Sequence, residues 1–348
     1  MMESKQHMLD GIAHLNQGEW ESALHHFERA AELRESQPWR HDPEAAWVLA
    51  AAWINRSDVL RILGQTPEAI HSLDRAIDAM NHVPLADHPD RADRLILAWI
   101  NRATACGEAQ LPDAALEDFS KAEELLRTKM EAPSGRRQLL ASMLHANRAR
   151  ILLDLDRTIE GWRDSQSALD CLADIEPAES IAEAAIKARG IHCRALAMLL
   201  DEPDGLSLET SWIARATDAV EEALLLVKSS HYRSDWITDL VKYGAKIYRV
   251  CQPHFLAEFI RDWTRPFATD SDASLVQSLT HELLLAKADL ERRIRQRPHD
   301  TPFVEKELRT LASLQRAETE LARNFPSSGR AFASADRISP KTVELQTH

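Results

Sequence analysis

The sequence is poor in the residues on which β-sheets depend. It contains 10 Gly and 3 Tyr among 348 residues, whereas sheets need glycine-rich turns and favour β-branched and aromatic side chains. The abundant residues Ala, Leu, Glu and Arg favour helices instead. We therefore expect an all-α protein with almost no sheet.

Cysteine is also scarce, and its spacing carries no motif. The sequence has four cysteines with no C-x-x-C pair, namely Cys106, Cys171, Cys193 and Cys251. Neither a disulfide framework nor a zinc ribbon is indicated by this spacing. We expect all four to be small core residues.

The sequence also has fewer basic than acidic residues, and it lacks long apolar runs. The 42 Lys and Arg residues against 55 Asp and Glu residues give a formal net charge of −13, which disfavours attraction to phosphate backbones and anionic lipids. There is no run of 18 or more apolar residues, and no apolar signal segment follows the polar N-terminus. We expect a cytoplasmic protein that binds neither nucleic acid nor membranes.

Short signatures of catalysis and metal binding are absent. The sequence has no phosphate-binding glycine loop, no dinucleotide-binding glycine motif and no H-E-x-x-H motif. On a helix, the adjacent His25 and His26 point about 100° apart, so they cannot hold one metal ion together. His41, Asp42 and Glu44 precede a helix, where we expect Asp42 to be an N-cap residue rather than a ligand. We expect no catalytic residue, metal or cofactor, and a protein that is not an enzyme.

What the sequence does contain is a long internal repeat. The pentapeptide Ala-Trp-Ile-Asn-Arg occurs at 52–56 and again at 98–102, an offset of 46 residues. A fixed period of this length indicates a solenoid, whose units are too small to bury their own apolar faces. At this offset five columns align: Asn55, Asn101 and Asn147; Arg56, Arg102, Arg148 and Arg194; Ala23, Ala69, Ala115 and Gly161; Phe27, Leu73, Phe119 and Ser165; Ala30, Ala76, Ala122 and Ala168.

Each unit is predicted to contain two helices. The stretch EAAWVLAAAWINRSDVLRILG has apolar residues at helical spacing and closes at Gly64, and TPEAIHSLDRAIDAM follows as a second helix. Small residues in the two Ala columns predict a close approach between helices, with the Phe27 column filling the remaining space. We expect Trp53 and Trp99, one in each unit, to be core residues.

These residues resemble the tetratricopeptide repeat. Gly11, Gly18 and Trp20 precede the Ala23, Phe27 and Ala30 pattern in GIAHLNQGEWESALHHFERAAEL, and the resemblance extends well over 7–175 and loosely over 180–228. Two features differ from the family: the period exceeds the family's roughly 34 residues, and Arg stands where the family has an apolar residue. The resemblance implies a right-handed superhelical solenoid of about five antiparallel helix pairs plus C-terminal capping helices.

We expect three segments along the chain. Residues 1–228 would form the helical repeat array. Residues 229–325, where the period is lost, would form a helical extension that caps the last apolar face. Residues 326–348 are rich in Ser, Pro and Gly and are predicted to be a disordered tail.

The resemblance also implies where a ligand would bind. In this family the first helix of each pair lines the concave face, and Asn at this place can hydrogen-bond the backbone of an extended peptide. Asn55, Asn101 and Asn147 inherit that role, the alternative being that they fix the packing between units. The Arg column, comprising Arg56, Arg102, Arg148 and Arg194, either binds carboxylates or phosphates or forms ion pairs with acidic residues of the second helices such as Asp118 and Asp164.

We therefore expect a non-catalytic scaffold that binds a peptide or protein segment in its concave face, an acidic segment being one option. The alternative is a regulatory sensor. In that case the superhelix would bind a small peptide or metabolite and signal through the C-terminal helices.

Overall fold

The chain is helical wherever its structure is described. The computed structural model describes residues 2–83, 90–129, 135–175, 179–200, 210–229, 235–264, 273–297 and 300–325. Within these ranges there are fourteen α-helices, one 3₁₀ turn and no strand, so the all-α prediction is confirmed. The predicted tail, 326–348, lies outside the described residues.

The chain divides into two compact units, Met1–Ala184 and Ala185–His348. The prediction that the repeat array continues to residue 228 stays a prediction. The first unit contains four helix pairs, with a 3₁₀ turn at Trp39–His41 before the second pair: α1 (Met2–Asn16) and α2 (Trp20–Glu35); α3 (Pro43–Ile62) and α4 (Thr66–Asn81); α5 (Arg91–Glu108) and α6 (Pro112–Lys129); α7 (Gly135–Asp154) and α8 (Thr158–Leu172).

The two helices of each pair are joined by the same three-residue turn. In each turn one residue has a positive φ, and the next N–H donates to a carbonyl five residues back, as Gln65 does to Leu60 at 2.8 Å and Leu111 to Cys106 at 2.8 Å. These bonds cap the C-terminus of the first helix. The four left-handed residues are Gly18 (φ 75), Gly64 (φ 72), Gln110 (φ 60) and Asp156 (φ 57). The sequence period is therefore also a backbone period in the first unit.

The apolar columns lie where neighbouring helices meet. Phe27, Leu73 and Phe119 are fully buried, and Ser165, which takes their place in the fourth pair, is buried as well. Both Ala columns are inaccessible to solvent wherever they hold Ala. A Cβ added to Gly161 would lie 2.7 Å from the Leu153 side chain, so α7 and α8 approach too closely for a larger residue. The columns therefore set the spacing between stacked helices.

Three further expectations about single residues can be compared with the structure. Trp53 and Trp99 are half-buried and pack against the core cluster around α3 and α4. The carboxylate of Asp42 accepts hydrogen bonds from the backbone N–H groups of Glu44 at 3.0 Å and Ala45 at 3.1 Å, which confirms its N-cap role at α3.

All four cysteines are free thiols. Cys106 and Cys193 are buried as expected, whereas Cys171 and Cys251 are only half-buried. Burial raises the pKa of the Cys193 thiol to about 12, so this thiol stays protonated and behaves as a small apolar side chain.

The second unit holds most of α9 and the remaining helices. Helix α11 packs against α10, α12 and α13, and α14 packs against α12 and α13. Among all described helices, none combines the length and the apolar composition needed to cross a bilayer. The helices are α9 (Glu179–Leu199), α10 (Thr210–Ser229), α11 (Asp235–Cys251), α12 (Leu256–Thr264), α13 (Ala273–Gln296) and α14 (Thr301–Asn324).

Candidate functional site

Three members of the Arg column, Arg56, Arg102 and Arg148, lie between helices of the first unit, and Arg102 shows the geometry most fully. From α5, Arg102 Nε and Nη2 donate to the two carboxylate oxygens of Asp118 in α6, both at 2.7 Å, while Nη1 donates to Asp74 in α4 at 2.5 Å. The hydrogen bond with Asp118 raises the pKa of Arg102 above its usual value, although burial opposes the rise. One guanidinium therefore joins three consecutive helices.

Arg148 repeats this arrangement one unit later. It contacts Asp164 of α8, 16 residues further on, through Nε at 2.5 Å and Nη2 at 2.9 Å, and its Nη1 donates to Glu123 of α6 at 2.7 Å. Burial would raise the pKa of Asp164, but hydrogen bonds from Arg148 and His145 hold it below its usual value. The carboxylate is therefore ionised and paired at neutral pH.

Arg56 makes the corresponding contacts in the second pair with different partners. Its Nε and Nη2 donate to Glu28 of α2 at 3.2 and 2.9 Å, and its Nη1 donates to Ser72 of α4. The ion pairs that the sequence left as an alternative are thus present at Arg56, Arg102 and Arg148. Arg194 lies half-buried in α9. A contact between any of these residues and a ligand stays a prediction.

The Asn column occupies a different face of the first helices. Asn101 Nδ2 of α5 donates to Asp58 Oδ1 of α3 at 3.1 Å, which joins two first helices directly. Asn55 is half-buried. Asn147 is only 4% exposed, and its Oδ1 is buried with no hydrogen-bond partner in the described part of the chain. The three amides therefore have unequal surroundings.

Asn101 belongs to a polar row that we call the α3–α5 seam, formed by Trp47, Asp58 and Arg61 of α3 with Arg94, Asn101 and Glu108 of α5. The three α5 residues are seven apart and so share one face of the helix. At one end, the Arg94 guanidinium lies 3.8 Å from the Trp47 ring centroid. At the other end, Arg61 donates to both oxygens of Glu108, at 3.0 and 2.5 Å.

Burial shifts the pKa values of two ionisable groups in the seam. Burial raises the pKa of Asp58 to about 6, with Arg61 acting in the opposite direction. At the Trp47 end, burial lowers the pKa of Arg94 to about 10, and the neighbouring Arg136 adds to this shift. Around neutral pH the ionised form of the Asp58 carboxylate is therefore poorly stabilised, although the Asn101 amide donates a hydrogen bond to it.

Sequence reasoning missed the seam apart from Asn101. Its contacting residues lie close to one repeat period apart, with separations of 47 for Arg61 and Glu108 and 43 for Asn101 and Asp58. These pairs could have been found by searching for complementary side chains at that separation. The column alignment could not find them, because it compares like residues with like.

The histidines of the first pair form a contact between α1 and α2. The Nδ1 atoms of His7 and His26 are 3.0 Å apart, and the His14 and His26 rings stack with centroids 5.1 Å apart. Burial, together with His7, lowers the pKa of His26. Within the residues described by the structure, no three His, Cys, Asp or Glu side chains are grouped so as to hold a metal ion.

Comparisons with known proteins bear on the fold. No protein-family model matches the sequence, and no curated protein matches it either. The crystal structure of the apo form of RapI is similar to this chain, with a TM-score of 0.51 and 16% identity, over 93% of this chain and 99% of that chain. At this identity the likeness supports the fold and nothing further.

Two other solved structures are similar at lower scores. A tetratricopeptide repeat protein from Parabacteroides merdae ATCC 43184 has a TM-score of 0.46 and 16% identity, over 90% of this chain and 100% of that chain. A Rap protein complexed with Competence and Sporulation Factor has a TM-score of 0.49 and 14% identity, over 93% of this chain and 77% of that chain. The helix pairs and repeated turns described above are themselves those of a tetratricopeptide-like helical repeat.

Proposed function

We propose that this protein is a non-catalytic scaffold that binds an extended peptide or protein segment along the α3–α5 seam and its continuation on α7. The observation that carries the proposal is the unfilled hydrogen-bonding capacity of the Asn column. One N–H of Asn101 donates to Asp58, whereas its side-chain carbonyl accepts no hydrogen bond from the described residues. The buried carbonyl of Asn147 is likewise unpaired there.

An amide side chain is suited to this role because it offers both donors and acceptors. It can therefore pair with the N–H and C=O of a peptide unit without reading the side chain beside it. A buried carbonyl left without a donor costs about 1–3 kcal/mol, so a ligand N–H that pairs with Asn147 Oδ1 would gain a hydrogen bond without breaking one to the described residues. Recognition of this kind favours an extended backbone over a particular sequence.

We assign the Arg column a supporting role in the same proposal. A carboxylate of the ligand could reach Arg102 only by displacing one of its two partners: Asp118, which holds the guanidinium through two hydrogen bonds of 2.7 Å, or Asp74, which accepts one of 2.5 Å. Such an exchange gains little, because one charge-assisted pair replaces another. In α3, α5 and α7 the column instead fixes the first helix between two second helices, and so fixes where the neighbouring Asn stands. An acidic partner is therefore not required.

The test is capture of a partner by the full-length protein and by the variant Asn55→Ala/Asn101→Ala/Asn147→Ala. Partners captured from native cytosol by the wild type would be identified by mass spectrometry, and the bound segment would be synthesised for fluorescence-anisotropy titrations. We expect the triple variant to lose at least about tenfold in affinity, the loss of about 1.4 kcal/mol or more that a few hydrogen bonds would supply.

The matched control is Asn81→Ala, an exposed Asn at the end of second helix α4. It should bind like the wild type. Thermal unfolding followed by circular dichroism shows whether each variant keeps its helices. Equal affinity of a folded triple variant and the wild type would remove the Asn column from the binding site.

A further inference from the structure

The second unit contains a cleft of about 440 Å³ between α10, the end of α11 and α12. This volume falls within the range of roughly 300–1,000 Å³ that is typical of ligand pockets. The cleft lies wholly among residues of the second unit, and neither the Asn column nor the Arg column contributes to its lining. It therefore needs an explanation independent of the function proposed above.

The inner wall of the cleft is aromatic. Tyr248 of α11 and Phe259 of α12 stack with ring centroids 4.6 Å apart, and Trp263 also lines the cleft. At its rim two large apolar side chains remain in water, Leu225 at 70% exposure and Phe255 at 53%. Exposed apolar side chains grouped around an aromatic wall are typical of surfaces that bind another molecule.

Three carboxylates surround this wall, namely Glu221 of α10 with Glu258 and Asp262 of α12. Glu258 and Asp262 are four residues apart on α12, so they project from the same side of the helix. Glu221 accepts a hydrogen bond from the Tyr248 hydroxyl at 2.9 Å. No Lys, Arg or His side chain lines the cleft among the described residues, so its carboxylates are not neutralised there.

Burial, the bond to Glu221 and the nearby Glu258 raise the pKa of Tyr248 above its usual value. This shift agrees with the geometry, because negative charge has accumulated beside an aromatic wall. A cation would relieve the repulsion among the carboxylates, and it would also be attracted to the faces of the aromatic rings.

We propose that this cleft binds a short segment of a partner polypeptide in which an Arg or Lys side chain stands next to a large apolar residue. The cationic group would lie among Glu221, Glu258 and Asp262, and the apolar neighbour would cover Leu225 and Phe255 at the rim. A free organic cation would satisfy the carboxylates but leave both rim side chains in water, which is why a peptide segment fits better.

The test uses the full-length protein and a labelled probe peptide, fluorescein-Gly-Ser-Arg-Phe-Leu-Arg-Gly-Ser, in anisotropy titrations. A second peptide has citrulline in place of both Arg residues, which keeps their shape and removes the charge. We expect the citrulline peptide to bind about tenfold more weakly, the size expected when a partly desolvated charge pair and a cation–π contact are lost. Binding of the Arg peptide should also weaken as salt rises.

Two pairs of substitutions separate the parts of the cleft. Glu258→Gln/Asp262→Asn removes the charge, and Leu225→Ser/Phe255→Ser removes the exposed apolar rim; we expect each to weaken binding about fivefold or more. The control Glu291→Gln/Glu305→Gln removes two carboxylates from exposed positions on α13 and α14. It should bind like the wild type.

Three results would overturn the proposal. The first is that the Arg and citrulline peptides bind equally well. The second is that the wild type and both cleft variants bind the probe equally well. The third is that n-butylguanidinium alone competes as strongly as the unlabelled peptide. The last would identify a site for small cations. The triple Asn variant of the first unit should bind the probe normally, so failure at the seam and failure at the cleft are distinguishable.

Discussion

The Arg column predicts that two carboxylates bound to the same guanidinium contribute very unequally to stability. The side chain of Asp118 is 4% exposed, whereas that of Asp74 is 49% exposed, and both accept from Arg102. The perturbations are Asp118→Asn and Asp74→Asn. Each removes one negative charge and keeps the shape of the side chain.

The expected magnitudes follow from burial. Removing one partner of a buried ion pair leaves an uncompensated charge and costs about 3–5 kcal/mol. Arg102 is 21% exposed and keeps its contact with Asp74, so we expect Asp118→Asn to cost less than a fully buried pair, about 2–3 kcal/mol. For Asp74→Asn we expect about 0.2–1 kcal/mol, as for other exposed pairs.

The assay is urea unfolding of both variants and the wild type, followed by far-ultraviolet circular dichroism and by tryptophan fluorescence. Raising the salt concentration should shrink the effect of Asp74→Asn more than that of Asp118→Asn, because exposed charges are screened more strongly. If both variants unfold at the same urea concentration, burial does not decide the strength of these pairs. If neither is destabilised, the Arg column is not structural, and its guanidinium groups become candidates for ligand contact again.

Two other features give predictions of stability. In chemical unfolding, Gly64→Ala should lower the free energy of unfolding by about 1 kcal/mol and Gln110→Gly should raise it by about 0.5–1 kcal/mol, because only Gly adopts a left-handed φ without strain. A Cβ at Gly64 would meet no atom within 4 Å, so the effect of Gly64→Ala would come from the backbone alone. A loss below about 0.3 kcal/mol would contradict this argument. Since the pKa of Asp58 is raised from 3.8 to about 6, the folded state binds the extra proton, and stability from this group is lost as pH rises through 6. Asp58→Asn should therefore be more stable than the wild type by about 1–2 kcal/mol at pH 8, and the difference should fall towards pH 4. The measurement is the unfolding midpoint of both proteins across this pH range. A difference that does not change with pH would contradict the raised pKa of Asp58.

The repeat made much of the first unit predictable from sequence, and the turns show where that information ends. Gly18 and Gly64 mark their turns because glycine is the usual residue at a left-handed helix end. Gln110 and Asp156 adopt the same backbone without such a signal, and only the alignment of units relates them to the glycines. Tertiary packing of the helix pair, rather than the local preference of the residue, determines the turn there.

The candidate sites were predictable to different degrees for a physical reason. The pairing of Arg102 with Asp118 and of Arg148 with Asp164 could be anticipated, because donor and acceptor both recur with the period. Asp58 has no counterpart one period later, where Thr104 stands, so its contact with Asn101 left no repeated pattern. The aromatic cleft lies where the period is lost, and its residues come together only through the packing of α10, α11 and α12.

The Arg column stands where the tetratricopeptide repeat has an apolar residue, and this difference changes what determines the stacking of these helices. Apolar contacts are not directional, so they resist the sliding of one helix along another only weakly, whereas a guanidinium bound to both oxygens of a carboxylate has one preferred geometry. Arg102 makes such a contact with Asp118 of α6 and a single hydrogen bond with Asp74 of α4, which fixes the register of three consecutive helices at one point. Asn101 is the adjacent residue, so its amide projects about 100° around the helix from the guanidinium, towards α3. The contacts that hold α5 in place therefore also determine where the Asn101 amide stands, and stability and the proposed binding surface depend on the same set of ion pairs.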